Sequence, residues 1–343
     1  MKKLKKNKGK TLIIAEIGPN HNGSIKKAVK MVKKLALVGA DVIKFQIGDP
    51  KLVYSHDAFK ANYQKKNDLK KTIFEMSKSL QLSKSSHIKL SKLCKKLGVV
   101  YACTAFDLKS LIFLDKIINV PFFKIASGET HSTDMIDYIA RKKKPVLFST
   151  GMSTYDEIKK TLKKLNKFGN NNITILHCVS SYPAKEESLN LNVVDELKKR
   201  FRTKIGYSDH SLGTEACLAA IAKGASTVEK HVTTSKLLKG PDHKTSITIK
   251  GFEILVKKIR KLEVILGSSK KKFSNEEINV RNVSRKSLVT NKAITKGSIL
   301  KKSDIVFKRP GTGISPLDIK KFIGRKLIVN KEKNRVIFKK ELK

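Results

Sequence analysis

Eight short apolar runs, each leading into polar or ionisable residues, are spaced along the chain with helical stretches between them. They cover residues 11–18, 41–46, 99–106 and 122–127, then 145–151, 173–178, 204–209 and 227–232. Each is rich in Val, Ile or Phe, the composition of a strand buried on both faces. The intervening segments, such as SIKKAVKMVKKLALVGA after the first run, carry apolar residues at helical spacing. A strand–helix–strand unit places consecutive strands parallel and side by side, with their carboxyl ends on one rim. Eight such units are the number a closed barrel requires. The pattern therefore predicts an α/β fold, a (β/α)8 TIM barrel with its active site at the carboxyl rim.

The last helix of that pattern ends near residue 266, so the barrel is predicted over 1–266. Residues 267–285 are polar and charged and read as a linker. From 286 to 343 short strand-like runs alternate with turns, predicting a small, mostly β domain. A domain that size buries little by itself and is expected to lean on the barrel or on a partner chain. A longer insertion, 47–98, separates the second and third runs. It combines a polar loop at 63–69 with two helical segments, and suits a lid or dimer element.

The four cysteines (Cys94, Cys103, Cys178, Cys217) form no CxxC pair and read as reduced core thiols. No apolar window reaches the roughly 18 residues of a membrane span. The apolar start is stopped by Glu16, so a cytoplasmic protein with no membrane partner is expected. A net charge of +45 invites a nucleic-acid reading. Only nine of the 74 basic residues are Arg, however, the lysines are spread over the whole chain, and Trp is absent. With stacking platforms scarce, no nucleic-acid partner is expected. The field should instead draw in small anions.

The run ends share a chemistry. Glu16 closes the first, Lys44 and Gln46 share one face of the second, and Thr104 ends the third. Lys124, Ser127 and Glu129 follow from the fourth, Ser149 from the fifth, and Ser180 and Tyr182 from the sixth. Ser208 and His210 close the seventh, Glu229 and His231 the eighth, and Asp242 lies just beyond. Any one of these could be an ordinary polar residue. As a set on one rim, two lysines among hydroxyls suit a substrate bearing a phosphate and a carboxylate. His210 and His231, 21 residues apart, can hold one divalent ion as neutral imidazoles. Two ligands are too few for structural zinc and leave positions open for water and a substrate carbonyl. Glu16 and Glu129 remain as acid–base or hydroxyl-binding groups.

The segments AEIGPNHNG, GADVIKFQ, FFKIASGE, STGMST, SSYPAKEESLNLN, IGYSDHSLG, EKHVT and GPDH resemble those of the sialic acid synthase family. KSLVTNKAITKGSILKKSDI and KRPGTGIS are similar to its antifreeze-like (SAF) domain, so the resemblance spans nearly the whole chain after residue 10. It implies condensation of phosphoenolpyruvate with an N-acylated aminosugar aldehyde and water, giving a nonulosonic acid and phosphate for surface glycans. Lys44, Thr104, Lys124, Ser127, Ser149, Ser180 and Ser208 then match the phosphoenolpyruvate site. Ser180 stands where an asparagine can occur. His210 and His231 match the residues holding Mn²⁺, or Mg²⁺ or Co²⁺, and Glu16 matches the acid–base. Gln46, Glu129, Tyr182 and Asp242 match sugar-binding positions. Arg309 matches an arginine lent by the other subunit, which implies a domain-swapped homodimer.

IGDPKLVY after Gln46 and Val283 depart from the family pattern where the acyl substituents are read. The acceptor could therefore be N-acetylmannosamine, giving N-acetylneuraminate. It could also be a 2,4-diacetamido-2,4,6-trideoxy hexose, giving legionaminic or pseudaminic acid. Two readings of other classes stand beside this one: a pyruvate lyase using Lys124 as a Schiff base, and a non-catalytic sugar-binding protein.

Overall fold

The structure, a computed structural model, describes residues 9–343. They divide into two compact units, the first running to Gly267 and the second spanning Ser268–Lys343.

The first unit is a closed parallel barrel. Its strands are β1 (Leu12–Glu16), β2 (Val42–Ile47), β3 (Val100–Ala105), β4 (Phe123–Ile125), β5 (Val146–Ser149), β6 (Ile173–Cys178), β7 (Lys204–Asp209) and β8 (Thr227–Thr233). They pair in chain order, and β8 returns to β1 with Glu16 opposite His231. The eight predicted runs are these eight strands. A two-residue strand, β9 (Ile247–Thr248), adds to β8 beyond the rim. Helices ring the barrel. In Ile25–Leu37 the buried Ala28, Met31, Val32 and Leu35 follow helical spacing, and Ser24 caps the start by accepting from Lys27 N–H at 3.3 Å.

Two apolar layers result. One lies between strands and helices. The other fills the barrel axis with Ile14, Val42, Ala102, Phe122, Leu147 and Leu176. That inner layer is the floor on which the site is built.

The layer outside the strands also buries histidines. His87, on helix Lys84–Lys96, is fully buried, with Nδ1 2.7 Å from the Tyr101 hydroxyl and Nε2 without a partner. Burial pushes His87 down to about 4 and His243 to about 4. Such a group stays neutral in the folded chain, whereas the unfolded chain takes up a proton below about 6.5. Stability is therefore whole above pH 6.5 and falls as pH drops toward 4. His87 alone should cost about 2 kcal/mol between pH 7 and pH 5. Urea unfolding at the two pH values checks this. His87→Gln should remove about that much of the pH dependence, and an unchanged pH dependence would refute the assignment.

Two segments differ from the sequence reading. In the insertion, Asn62–Asn67 is a short helix where a polar loop was expected. Gln64 reaches back to accept from Ala61 N–H at 3.0 Å, a local bond with no apolar periodicity to announce it. The insertion also holds helices Pro50–Val53 and Ile73–Leu80. The segment read as a linker contains helix Glu277–Ser284, whose Ile278, Val280 and Val283 are exposed, so no buried stripe marked it.

The second unit pairs β10 (Ser287–Thr290) antiparallel with β11 (Ile305–Lys308) around a small core of Leu288, Leu300, Ile314, Leu327 and Ile337. Arg309 follows β11 and is exposed.

Candidate active site

Strand periodicity turns the apolar floor into a polar layer one pleat higher. Two residues on from Ile14, Val42, Ala102, Phe122, Leu147 and Leu176 stand Glu16, Lys44, Thr104, Lys124, Ser149 and Cys178. On β7 and β8 the same level carries Ser208 and Glu229, which are register partners. These side chains meet at the base of a cavity of about 390 Å³ at the carboxyl rim.

The base is a buried ion network. Lys44 Nζ lies 2.7 Å from Glu16 and 3.7 Å from Glu229, and donates to Thr104 Oγ1 at 3.0 Å. Lys124 Nζ donates to Ser149 Oγ at 2.7 Å and lies 3.8 Å from Glu229. Ser208 Oγ donates to Glu229 at 3.0 Å, while the other oxygen of Glu229 has no hydrogen-bond partner. Burial raises the Glu16 carboxyl above its ordinary range despite Lys44. Burial acts the same way on Glu229, but Lys124 and Lys44 outweigh it and hold that carboxyl low. Burial also pulls Lys124 down, whereas for Lys44 the two glutamates overcome it. Gln46 Nε2 donates to Glu16 at 2.9 Å. The turn after β1 approaches this pair closely at Gly18, whose φ of +50° favours glycine; a Cβ there would lie 3.0 Å from Glu16 and 3.1 Å from Gln46 and push on both.

On the opposite side of the cavity base, Gly151 N–H donates to Ser127 Oγ at 3.0 Å. A Cβ on Gly151 would come within 2.2 Å of Ser180 Oγ and 2.9 Å of Ser127 Oγ. Gly151→Ala should therefore displace both hydroxyls. About a tenfold or greater rise in KM for the anionic substrate is expected, with the unfolding midpoint nearly unchanged. An unaltered KM would show that these hydroxyls do not hold that substrate.

The histidines stand above Glu16 and Glu229. The His210 and His231 rings are 5.3 Å apart between centroids. His210 Nδ1 is 2.7 Å from the Val179 carbonyl, which assigns that nitrogen a proton and turns Nε2 to the other side of the ring. His231 Nδ1 is buried, lacks a hydrogen-bond partner and lies 3.5 Å from Asp242. Burial, then the neighbouring His210, holds His231 well below its usual range, so it is neutral. Burial works against charge on His210 as well, but Cys178 and the Val179 carbonyl overcome it and raise His210 to about 9, so an ion binding here would displace a proton from His210 while His231 already offers a free lone pair. Among the described residues no group of three or more His, Cys, Asp or Glu side chains could hold one. An ion here would rest on two protein ligands and leave its other positions to water and substrate.

Lys44, Gln46, Thr104, Lys124, Ser127, Ser149, Ser180, Tyr182, Ser208, His210, His231 and Asp242 all line the cavity, with Glu16 buried beneath. Glu129 does not: it closes the 3-10 turn Ser127–Glu129, where its carboxylate accepts from the Ser132 hydroxyl. Arg309 belongs to the second unit. Two contributors escaped the sequence reading. Glu229 was noted at a strand end but given no role, although it sits two residues before His231 on the inward face. The insertion's Tyr63 stacks on Tyr182 at 4.8 Å, and Tyr182 lies 4.1 Å from His210.

The barrel and its ion network can be set beside known proteins. The NeuB family matches residues 6–271 and the SAF domain matches residues 285–343. An N,N'-diacetyllegionaminic acid synthase of Campylobacter jejuni is 39% identical, over 96% of this chain and 99% of that protein. One of Legionella pneumophila is 37% identical, over 93% and 90%. The solved structure of an N-acetylneuraminic acid synthetase from Leptospira borgpetersenii, in complex with citrate, is 31% identical. It superposes with a TM-score of 0.72, covering 80% of this chain and 92% of that one. The chain is an enzyme of the sialic acid synthase type, a TIM barrel followed by a SAF domain. It belongs to the NeuB family.

Proposed function

We propose that this enzyme condenses phosphoenolpyruvate with an N-acylated aminosugar aldehyde and water, yielding a nonulosonic acid and phosphate. The observation that carries this is the pair of buried lysines ringed by Thr104, Ser149 and Ser208 at the cavity base. A trianionic substrate of that size meets its phosphate and carboxylate there, with spare ammonium donors and the Ser127 and Ser180 hydroxyls alongside. C3 of the enolpyruvate bonds to the aldehyde carbon, the carbonyl oxygen takes a proton, water enters and phosphate leaves. Glu16, buried beside Lys44 and Gln46, is placed to hold or release that proton. Gln46, Tyr182 and Asp242 line the path of the acceptor, whereas Glu129, bonded to Ser132, lies outside it. His210 and His231 would hold the divalent ion, Mn²⁺ first, which would polarise the aldehyde when bound.

Among possible acceptors, the 2,4-diacetamido-2,4,6-trideoxy hexose is favoured over N-acetylmannosamine. The two legionaminic acid synthases share 37–39% of their residues with this chain, the N-acetylneuraminic acid synthetase 31%. A second copy of the chain is proposed to cover the rim with its SAF domain and supply Arg309. The rim loops expose Phe59 (83%), Leu69 (86%), Met152 (73%) and Leu237 (95%), more apolar surface than a rim open to water would carry. Among the described residues no helix is long and apolar enough to cross a membrane.

One observation favours a Schiff-base lyase instead: burial depresses Lys124. Against it, Lys124 Nζ is already engaged by Ser149 and by the Ile125 carbonyl at 3.2 Å. Incubation with phosphoenolpyruvate and each acceptor, followed by mass analysis, tests the proposal. A product heavier than the acceptor by one pyruvate unit supports it. Borohydride trapping of pyruvate on Lys124 would favour the lyase.

A further inference from the structure

The Lys, Asp and Glu side chains lining the cavity are Lys44, Lys124, Glu229 and Asp242, and these, like the lining His210, come from strand ends or the loops that follow them. The insertion 47–98 supplies a further part of the wall, through Tyr54, Tyr63, Gln64, Met76, Ser77 and Leu80 among others. That segment contains twelve lysines, yet none of its residues that line the cavity is charged. In so lysine-rich a segment, a wall with no cation is a property of the cavity.

The wall is anchored to the site. Asn67 Nδ2 donates to the Pro241 carbonyl at 3.1 Å, beside Asp242. Tyr63 stacks on Tyr182, which in turn lies against His210, so an unbroken line of rings runs from the histidines to the insertion. An acceptor whose aldehyde sits at the histidines can extend along this line of rings toward the insertion.

We infer that the insertion is the specificity wall of the enzyme, and that it selects an acceptor whose far end is uncharged and carries methyl and acylamino groups. This rests on the condensation proposed above. Aromatic faces, Met76 and Leu80 suit methyl groups, while Gln64 and Ser77 can bond amide groups. A phosphate at the same place would be taken out of water with no cation to meet it.

The test is binding without phosphoenolpyruvate, measured by calorimetry on the full chain. The ligands are 2,4-diacetamido-2,4,6-trideoxymannose and N-acetylmannosamine 6-phosphate. Wild type should bind the deoxy sugar at least about tenfold more tightly. Ser77→Lys and Gln64→Lys, both at half-buried positions, should each shift that ratio about tenfold toward the phosphate. Tyr63→Ala should weaken the deoxy sugar alone. Equal or tighter binding of the phosphate by wild type, or a ratio unmoved by both lysine variants, overturns the inference. Preferential binding of the deoxy sugar without turnover would uphold the wall and sink the condensation instead.

Discussion

Glu16→Gln is expected to slow phosphate release from phosphoenolpyruvate by about 10²–10⁴-fold while leaving the unfolding curve in place. Glutamine keeps the shape and can still meet Lys44 at 2.7 Å and Gln46 at 2.9 Å, so the fold has no reason to change. What it loses is the proton. Glu16 is fully buried, and burial raises its carboxyl while Lys44 restrains the rise, the kind of perturbed carboxyl that serves acid–base chemistry. Steady-state phosphate release, with unfolding as the control, checks the prediction. A rate within about threefold of wild type would remove Glu16 from the chemistry. Glu229 would then be next in line, since its free oxygen lies 3.7 Å from Lys44 and its other oxygen 3.8 Å from Lys124.

Lys230→Met is expected to cost about 3–5 kcal/mol of stability. Lys230 alternates with Glu229 and His231 on β8 and so points away from the cavity, where it is 1% exposed. Its Nζ lies 2.5 Å from Asp209 and 2.6 Å from the Ser211 carbonyl. Asp209 also accepts from Ser211 N–H at 2.8 Å, from Tyr207 at 3.1 Å and from Cys217 at 3.1 Å. Removing the ammonium leaves a buried carboxylate without its counter-charge. Lys230→Met with Asp209→Leu removes both charges and should recover most of the loss. Urea unfolding of the single and double variants measures it. A single variant within about 1 kcal/mol of wild type would show that the pair is not essential to the fold.

The barrel was legible because a buried parallel strand reads as an unbroken apolar run, and eight of them leave few alternatives. The candidate site was legible for the same reason: inward residues recur at every second position, so an apolar residue on the axis predicts the cavity-facing residue two places on. Ile14 and Glu16, Val42 and Lys44, and Phe122 and Lys124 follow that rule. Glu229 obeys it as well. It lacked a role because its meaning lies in Lys44, Lys124 and Ser208, three strands that only closure brings together. The insertion's part was hidden differently. Its helix Asn62–Asn67 starts without a capping hydroxyl and carries no apolar stripe, so nothing local said that Tyr63 would turn onto Tyr182. The Thr72–Glu75 capping box, by contrast, announces helix Ile73–Leu80 in the sequence itself.

The most direct single measurement is phosphate release from phosphoenolpyruvate with a diacetamido-trideoxy sugar as acceptor, in Mn²⁺ and in EDTA. Release that requires the sugar and is abolished by EDTA is the expected result. Release without an acceptor, or none with any aldose in the presence of Mn²⁺, would contradict the assignment of the two lysines and two histidines to this condensation.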